Sequence, residues 1–218
     1  MHPQMREIVI AAALTAGVGL KAGVQRDPLE QARTPDVVYV GTPYDVAARM
    51  LRMARVKRGE VIYDLGCGDG RMLILAAQKY GCRGYGFDID PERVAAAQDN
   101  ARRNRVAHLV TIIQADLFTV DFGEADVLML YLLPEINKKL LPKFRQLKAG
   151  SRLVFHDYDL EGIEVDDSIR IFSNEDGAGH SLFLYTTPLR SNPSHRDWGQ
   201  SPFFAKKSRW IQQGGEKR

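Results

Sequence analysis

Val61-Ile62-Tyr63-Asp64-Leu65 runs straight into Gly66-Cys67-Gly68-Asp69-Gly70, and Arg71 to about Tyr80 then takes up a helical pattern. A short apolar run, a glycine cluster and a helix read as strand, tight turn and helix. Glycines let the backbone come close to a ligand, and the amide groups at a helix N-terminus face it with partial positive charge. The dinucleotide fingerprint has the spacing G-x-G-x-x-G. Here the third glycine comes one residue early, and Asp64 precedes the first glycine by two positions. A carboxylate in that place would repel a pyrophosphate and would suit an ammonium group.

The pattern continues on both sides. Upstream, Val46, Met50 and Met53 predict a helix from about Pro43 to Val56. Downstream, Gly84 to Ile89 is a second strand, and Asp90 caps a helix with Pro91 at its first position, ending near Asn104. Leu109 to Ile113 and Val127 to Leu133 read as strands three and four, and Leu153 to Phe155 lies in strand five. Ile136, Leu140, Phe144 and Leu147 mark the helix between strands four and five. After Asp157 the helical pattern stops, and Ile169–Phe172 and Ser181–Tyr185 flank the turn-like Asn174–Gly177 as a terminal hairpin. The expected fold is α/β, a doubly wound, mainly parallel seven-stranded sheet with a C-terminal β-hairpin, its ligand at the carboxyl ends of the strands.

Two further acids define that ligand. Asp88 ends strand two, 22 residues beyond Gly66, where a carboxylate can take both ribose hydroxyls. Asp116 follows strand three and could accept from an adenine amino group. Ile89 and Leu117, the next residues in each case, are counted with them as cofactor contacts. An ammonium, a ribose and an adenine without phosphates describe S-adenosylmethionine.

With those residues in register, residues 39–160 resemble a class I, seven-stranded S-adenosylmethionine-dependent methyltransferase of Rossmann-like fold. Val38-Tyr39-Val40-Gly41-Thr42-Pro43-Tyr44-Asp45 is similar to the leading loop of the non-SET lysine methyltransferases, those of the disruptor-of-silencing and ATP-synthase c-subunit type and their prokaryotic relatives. Tyr131-Leu-Leu-Pro134-Glu135-Ile-Asn137 resembles the segment after strand four in that group. The resemblance implies that Tyr39 and Thr42 cover the cofactor, that Gly66, Gly68, Gly70, Asp64, Asp88 and Asp116 hold it, and that the acceptor is a protein with an accessible lysine.

Methyl transfer needs an aligned nucleophile and the exclusion of water. Desolvation beside a sulfonium lowers a lysine's pKa, so no dedicated base is required. Tyr131, at the end of strand four, is the candidate for lining the methyl channel. His156 is a candidate base for an oxygen nucleophile. A small-molecule O- or N-methyltransferase using His156, and a catalytically idle cofactor-binding module, are the alternative readings. From Asp157 to Asp176 there are eight acidic residues against Arg170 alone, a rim of the sign that favours a lysine-bearing partner.

Composition bounds the rest. The chain has 218 residues and a formal net charge of +3, divided into +1 over residues 1–34, −3 over 35–188 and +5 over 189–218. A mildly acidic core does not indicate nucleic acid. Cys67 and Cys82 are the only cysteines, which excludes a disulfide scaffold. The five histidines, at 2, 108, 156, 180 and 195, show no ligand spacing, so no metal is expected. Residues 1–37 read as an apolar segment, residues 8–20, followed by a linker; 38–188 form the methyltransferase domain, and 189–218 a basic, aromatic tail. The expected location is cytoplasmic, with export or membrane attachment through residues 8–20 as the alternative.

Overall fold

A computed structural model of the chain describes residues 40–192. Tyr39, the apolar segment 8–20 and the tail beyond residue 192 lie outside the described residues. Among the described residues four helices and seven strands follow one another as α1 (Tyr44–Met53), β1 (Val61–Leu65), α2 (Arg71–Tyr80), β2 (Arg83–Asp88), α3 (Pro91–Arg103), β3 (Val110–Gln114), β4 (Val127–Leu130), α4 (Pro134–Phe144), β5 (Arg152–His156), β6 (Asp167–Phe172) and β7 (Gly179–Thr186). They build one seven-stranded sheet in the order β3-β2-β1-β4-β5-β7-β6. The first five strands in that order pair in parallel, and β7 joins β5 and β6 antiparallel. β1 lies between β2 and β4, so the chain reverses its direction of travel there and opens a crevice at the carboxyl end of β1.

Period-two alternation sorts the strand side chains onto two faces. Ile62, Val127, Met129 and Val154 pack with Val46, Met50, Leu73 and Ala97 of α1, α2 and α3. Tyr63, Leu65, Leu128, Leu130 and Phe155 pack with Leu140 and Phe144 of α4. Asp64, two residues on from Ile62, shares its side of the strand and therefore points to the face covered by the first three helices.

Local chemistry sets the helix ends. Asp90 accepts the Glu92 amide at 2.8 Å, with Pro91 at the first helical position, as expected. Gly70 opens α2 with φ +78°, and a Cβ there would lie 3.1 Å from that of Ala97, so α2 and α3 pack through this position. β4 ends at Leu130, three residues earlier than the sequence pattern predicts. Pro134 starts α4, and Leu133 before it stays extended, so Tyr131–Leu133 leave the ladder and Tyr131 reaches the crevice.

Phe144 is fully buried against Phe122 and Phe155. Phe144→Ala is expected to cost about 3–5 kcal/mol in chemical denaturation while leaving ligand binding unchanged below the transition, because α4 lies on the face opposite Asp64.

Candidate active site

The crevice encloses about 420 Å³ of solvent-open space. Asp64, Gly66 and Cys67 line it from β1 and the glycine turn, Gly41 and Thr42 from the loop before α1, and Tyr131 from the end of β4. Of the residues expected from sequence, Thr42, Asp64, Gly66 and Tyr131 therefore meet in one cleft.

Asp64 is 8% exposed, and its carboxylate makes no hydrogen bond or ion pair among the described residues. Burial, with the nearby Asp88 and Asp69 carboxylates, pushes its pKa up to about 7. An acid held at such cost beside an open cleft has the acceptor chemistry to receive an ammonium group. The glycine turn beside it needs its glycine: Gly66 has φ +78°, and its amide, with that of Cys67, is tied to the Phe87 carbonyl. Burial pushes the Cys67 thiol far above its usual value, so it stays a neutral packing group.

Asp88 is fixed in a receptive orientation. One carboxylate oxygen accepts the Gly68 amide at 2.9 Å and the other accepts the Asp90 amide at 3.0 Å, leaving lone pairs for two hydroxyls. Ile89 and Asp116 follow the neighbouring ends of β2 and β3, where the Ala115 amide donates to the Asp88 carbonyl. Asp116 accepts the Phe118 amide at 2.9 Å, and Leu117 is half-buried against the α4-side core.

His156 does not line the cleft. Its side chain is fully buried behind Thr42 and Tyr131, with Nδ1 3.1 Å from Thr42 Oγ1 and the Tyr131 ring centred 3.9 Å from its own. Tyr131 donates to Asp157 at 3.3 Å, and burial together with that carboxylate keeps the phenol well above its ordinary pKa, hence protonated. Beyond β5, His156, Asp157 and His180 converge. Sequence spacing could not disclose this cluster, because residues 156 and 180 meet only through the antiparallel pairing of β5 with β7.

Two other residues went unnoticed in the sequence. Arg71 chelates Asp69 and donates to the Thr42 carbonyl at 3.1 Å, and its guanidinium fills the space a side chain at Gly41 would need. Glu175 accepts the Tyr44 and Asp45 amides at 2.8 and 2.9 Å, satisfying the first turn of α1. Its position in the 157–176 segment bears on the acidic rim. Glu161 pairs with Lys138, Glu164 and Asp166 share Arg190, and Asp176 accepts from the His180 ring, so part of that charge is engaged within the domain.

A doubly wound sheet with a buried acid under its first glycine turn and a second acid oriented for a ribose defines a class, that of the S-adenosylmethionine-dependent methyltransferases. The family model of the ANTKMT methyltransferase domain matches residues 64–167. A protein-lysine N-methyltransferase of Saccharolobus islandicus is 38% identical over 154 residues, covering 69% of this chain and 94% of that protein. A ribosomal protein L11 methyltransferase of Thermus thermophilus is 33% identical over 145 residues, 64% of this chain and 54% of its own length. The crystal structure of an RNA methyltransferase from Salinibacter ruber in complex with S-adenosyl-L-homocysteine matches with a TM-score of 0.64 and 41% identity, over 72% of this chain and all of that one. The chain belongs to the ANTKMT-type family of class I methyltransferases and is an S-adenosylmethionine-dependent enzyme.

Two outcomes are expected at Asp64. Its ordinary pKa is 3.8, so between about pH 4 and 7 the folded chain keeps a proton that the unfolded chain has released, and stability falls as pH rises through that window. Asp64→Asn should therefore stabilise the ligand-free protein by ~2–4 kcal/mol at pH 8 and by little at pH 4, read by denaturant titration. In the wild type, calorimetry should give cofactor binding roughly 20-fold weaker at pH 5.5 than at pH 7.5, with that dependence lost in Asp64→Asn.

Proposed function

We propose that the enzyme transfers methyl groups to a protein lysine. The observation that carries this reading is the 38% identity to a protein-lysine N-methyltransferase nearly all of whose length is matched. Bound S-adenosylmethionine supplies an already activated methyl group on its sulfonium. Asp64 takes its ammonium, Asp88 its ribose hydroxyls, and Asp116 with Ile89 and Leu117 its adenine, while Thr42 closes over it. Tyr131, held as a protonated phenol, lines the passage for the acceptor.

Apart from the neutral Cys67 thiol, the titratable residues lining the cleft are Asp64, Asp69, Arg71 and Tyr131. Asp69 is engaged by Arg71 at 2.7 Å and Tyr131 by Asp157, and among the described residues no imidazole lines the cleft. That arrangement suits an amine whose proton is shed through desolvation and the neighbouring sulfonium, and it suits an oxygen nucleophile in need of a base poorly. The −3 balance of residues 35–188 also favours a cationic acceptor.

A second reading, an RNA acceptor, draws on the Salinibacter ruber relative, which is named an RNA methyltransferase. Incubation of a cell lysate with methyl-tritiated cofactor separates the readings. Label in protease-sensitive bands, recovered as methyl-lysine and lost with Asp88→Ala, is the expected result. Nuclease-sensitive label would transfer the assignment to RNA, and label confined to the low-molecular-weight fraction would transfer it to a metabolite.

A further inference from the structure

The cluster beyond β5 has an arrangement that methyl transfer does not use. His156 ends β5 and pairs with Leu182, so His180, two residues back along β7, stands diagonally across from it on the same face. The two imidazoles meet with His156 Nε2 2.8 Å from His180 Nδ1. Asp157, at φ +62°, turns its carboxylate toward the same point. Its Oδ2 lies 3.6 Å from His156 Nε2 and 3.5 Å from His180 Nδ1, while Oδ1 accepts the Ser181 amide. A position equidistant from three atoms with these separations lies about 2 Å from each, the length of a bond from imidazole nitrogen or carboxylate oxygen to a divalent transition metal. The three side chains are at most 6% exposed.

The outer ring nitrogens are also provided for. His180 Nε2 lies 3.3 and 3.2 Å from the two oxygens of Asp176, so giving its proton there leaves the Nδ1 lone pair facing inward. His156 Nδ1 lies 3.1 Å from Thr42 Oγ1, and a proton given there leaves Nε2 facing inward as well. Outer partners of this kind fix the tautomer and orientation of metal-bound histidines. With those tautomers two inward lone pairs stand 2.8 Å apart beside the Asp157 carboxylate and suit a cation between them; with the Thr42 hydroxyl donating to His156 Nδ1 instead, a His156–His180 hydrogen bond takes its place, and metal uptake tells the two apart. Asp157 Oδ2 also accepts the Tyr131 hydroxyl at 3.3 Å, which keeps the carboxylate turned toward the two rings.

We propose that His156, Asp157 and His180 bind one divalent transition-metal ion, zinc or one of similar size. Two histidines and a carboxylate with a position left open make up a familiar donor set for such ions. The Asp157 and Asp176 carboxylates offset its charge. The ion would lock β5 to β7 and, through His156 and Thr42, fix the loop that walls the cofactor cleft. The site is independent of which acceptor the enzyme uses.

The test uses untagged, chelator-dialysed protein, titrated with Co²⁺ for visible absorption and with Zn²⁺ for metal content after desalting. One equivalent per chain and a raised melting temperature are expected, with the equivalent lost in His180→Asn and in Asp157→Asn. Asp176→Asn changes a half-exposed outer partner without touching the ion, and should keep the fold while weakening the affinity about 10–100-fold. Uptake of less than about a tenth of an equivalent by the wild type would overturn the site, leaving a hydrogen-bonded histidine pair. A full equivalent retained by His180→Asn would also overturn it, since the ion would then sit elsewhere.

Discussion

A carboxylate forced into the apolar face of a sheet organises this molecule. Asp64 occupies a position that alternation along β1 assigns to the core under α1, α2 and α3, in register with Gly86 on one side and Met129 on the other. Gly86 leaves room for Cys67 and Ile112, with which a side chain in its place would collide. Among the described residues no cation pairs with this carboxylate, so its ionisation is costly, and the cofactor ammonium that the proposed function assigns to it would offset that cost.

The loop ahead of α1 is held at three places drawn from distant parts of the chain. Arg71, at the start of α2, grips the Thr42 carbonyl and packs over the Tyr44 ring. Glu175, from the turn between β6 and β7, caps α1, while Asp45 ties the turn in return by accepting the Ser173 hydroxyl and the Asn174 amide. His156 reaches Thr42 from β5. The terminal hairpin is thus more than an edge to the sheet: it fixes the wall of the cleft, and the acids that sequence composition groups as a rim are in good part its fastenings.

What could be read in advance follows from the range of the interactions. β1 and α2 match their expected limits because a strand, a glycine turn and a helix are written in consecutive residues. Asp64 was legible for the same reason, lying two positions before the first glycine, and so was the Asp90 cap. The end of β4 was not, because its apolar pattern continues through Leu133 while backbone pairing stops where Pro134 imposes a helix start. The His156–Asp157–His180 cluster was invisible, since it depends on the offset at which β7 pairs with β5. The local pairing of Glu161, Glu164 and Asp166 was hidden likewise, because Lys138 and Arg190 reach them only through the tertiary fold.

The most direct test of the account is the titration of Asp64 itself, followed through its carboxyl carbon by NMR, with Asp64→Asn for assignment. In the free protein the resonance should titrate near 7, and with S-adenosylhomocysteine bound it should stay ionised to below about pH 5, as a carboxylate paired with an ammonium does. Titration near 4 in the free protein, or a midpoint unmoved by the ligand, would contradict the claim that this buried acid is the receptor around which the site is built.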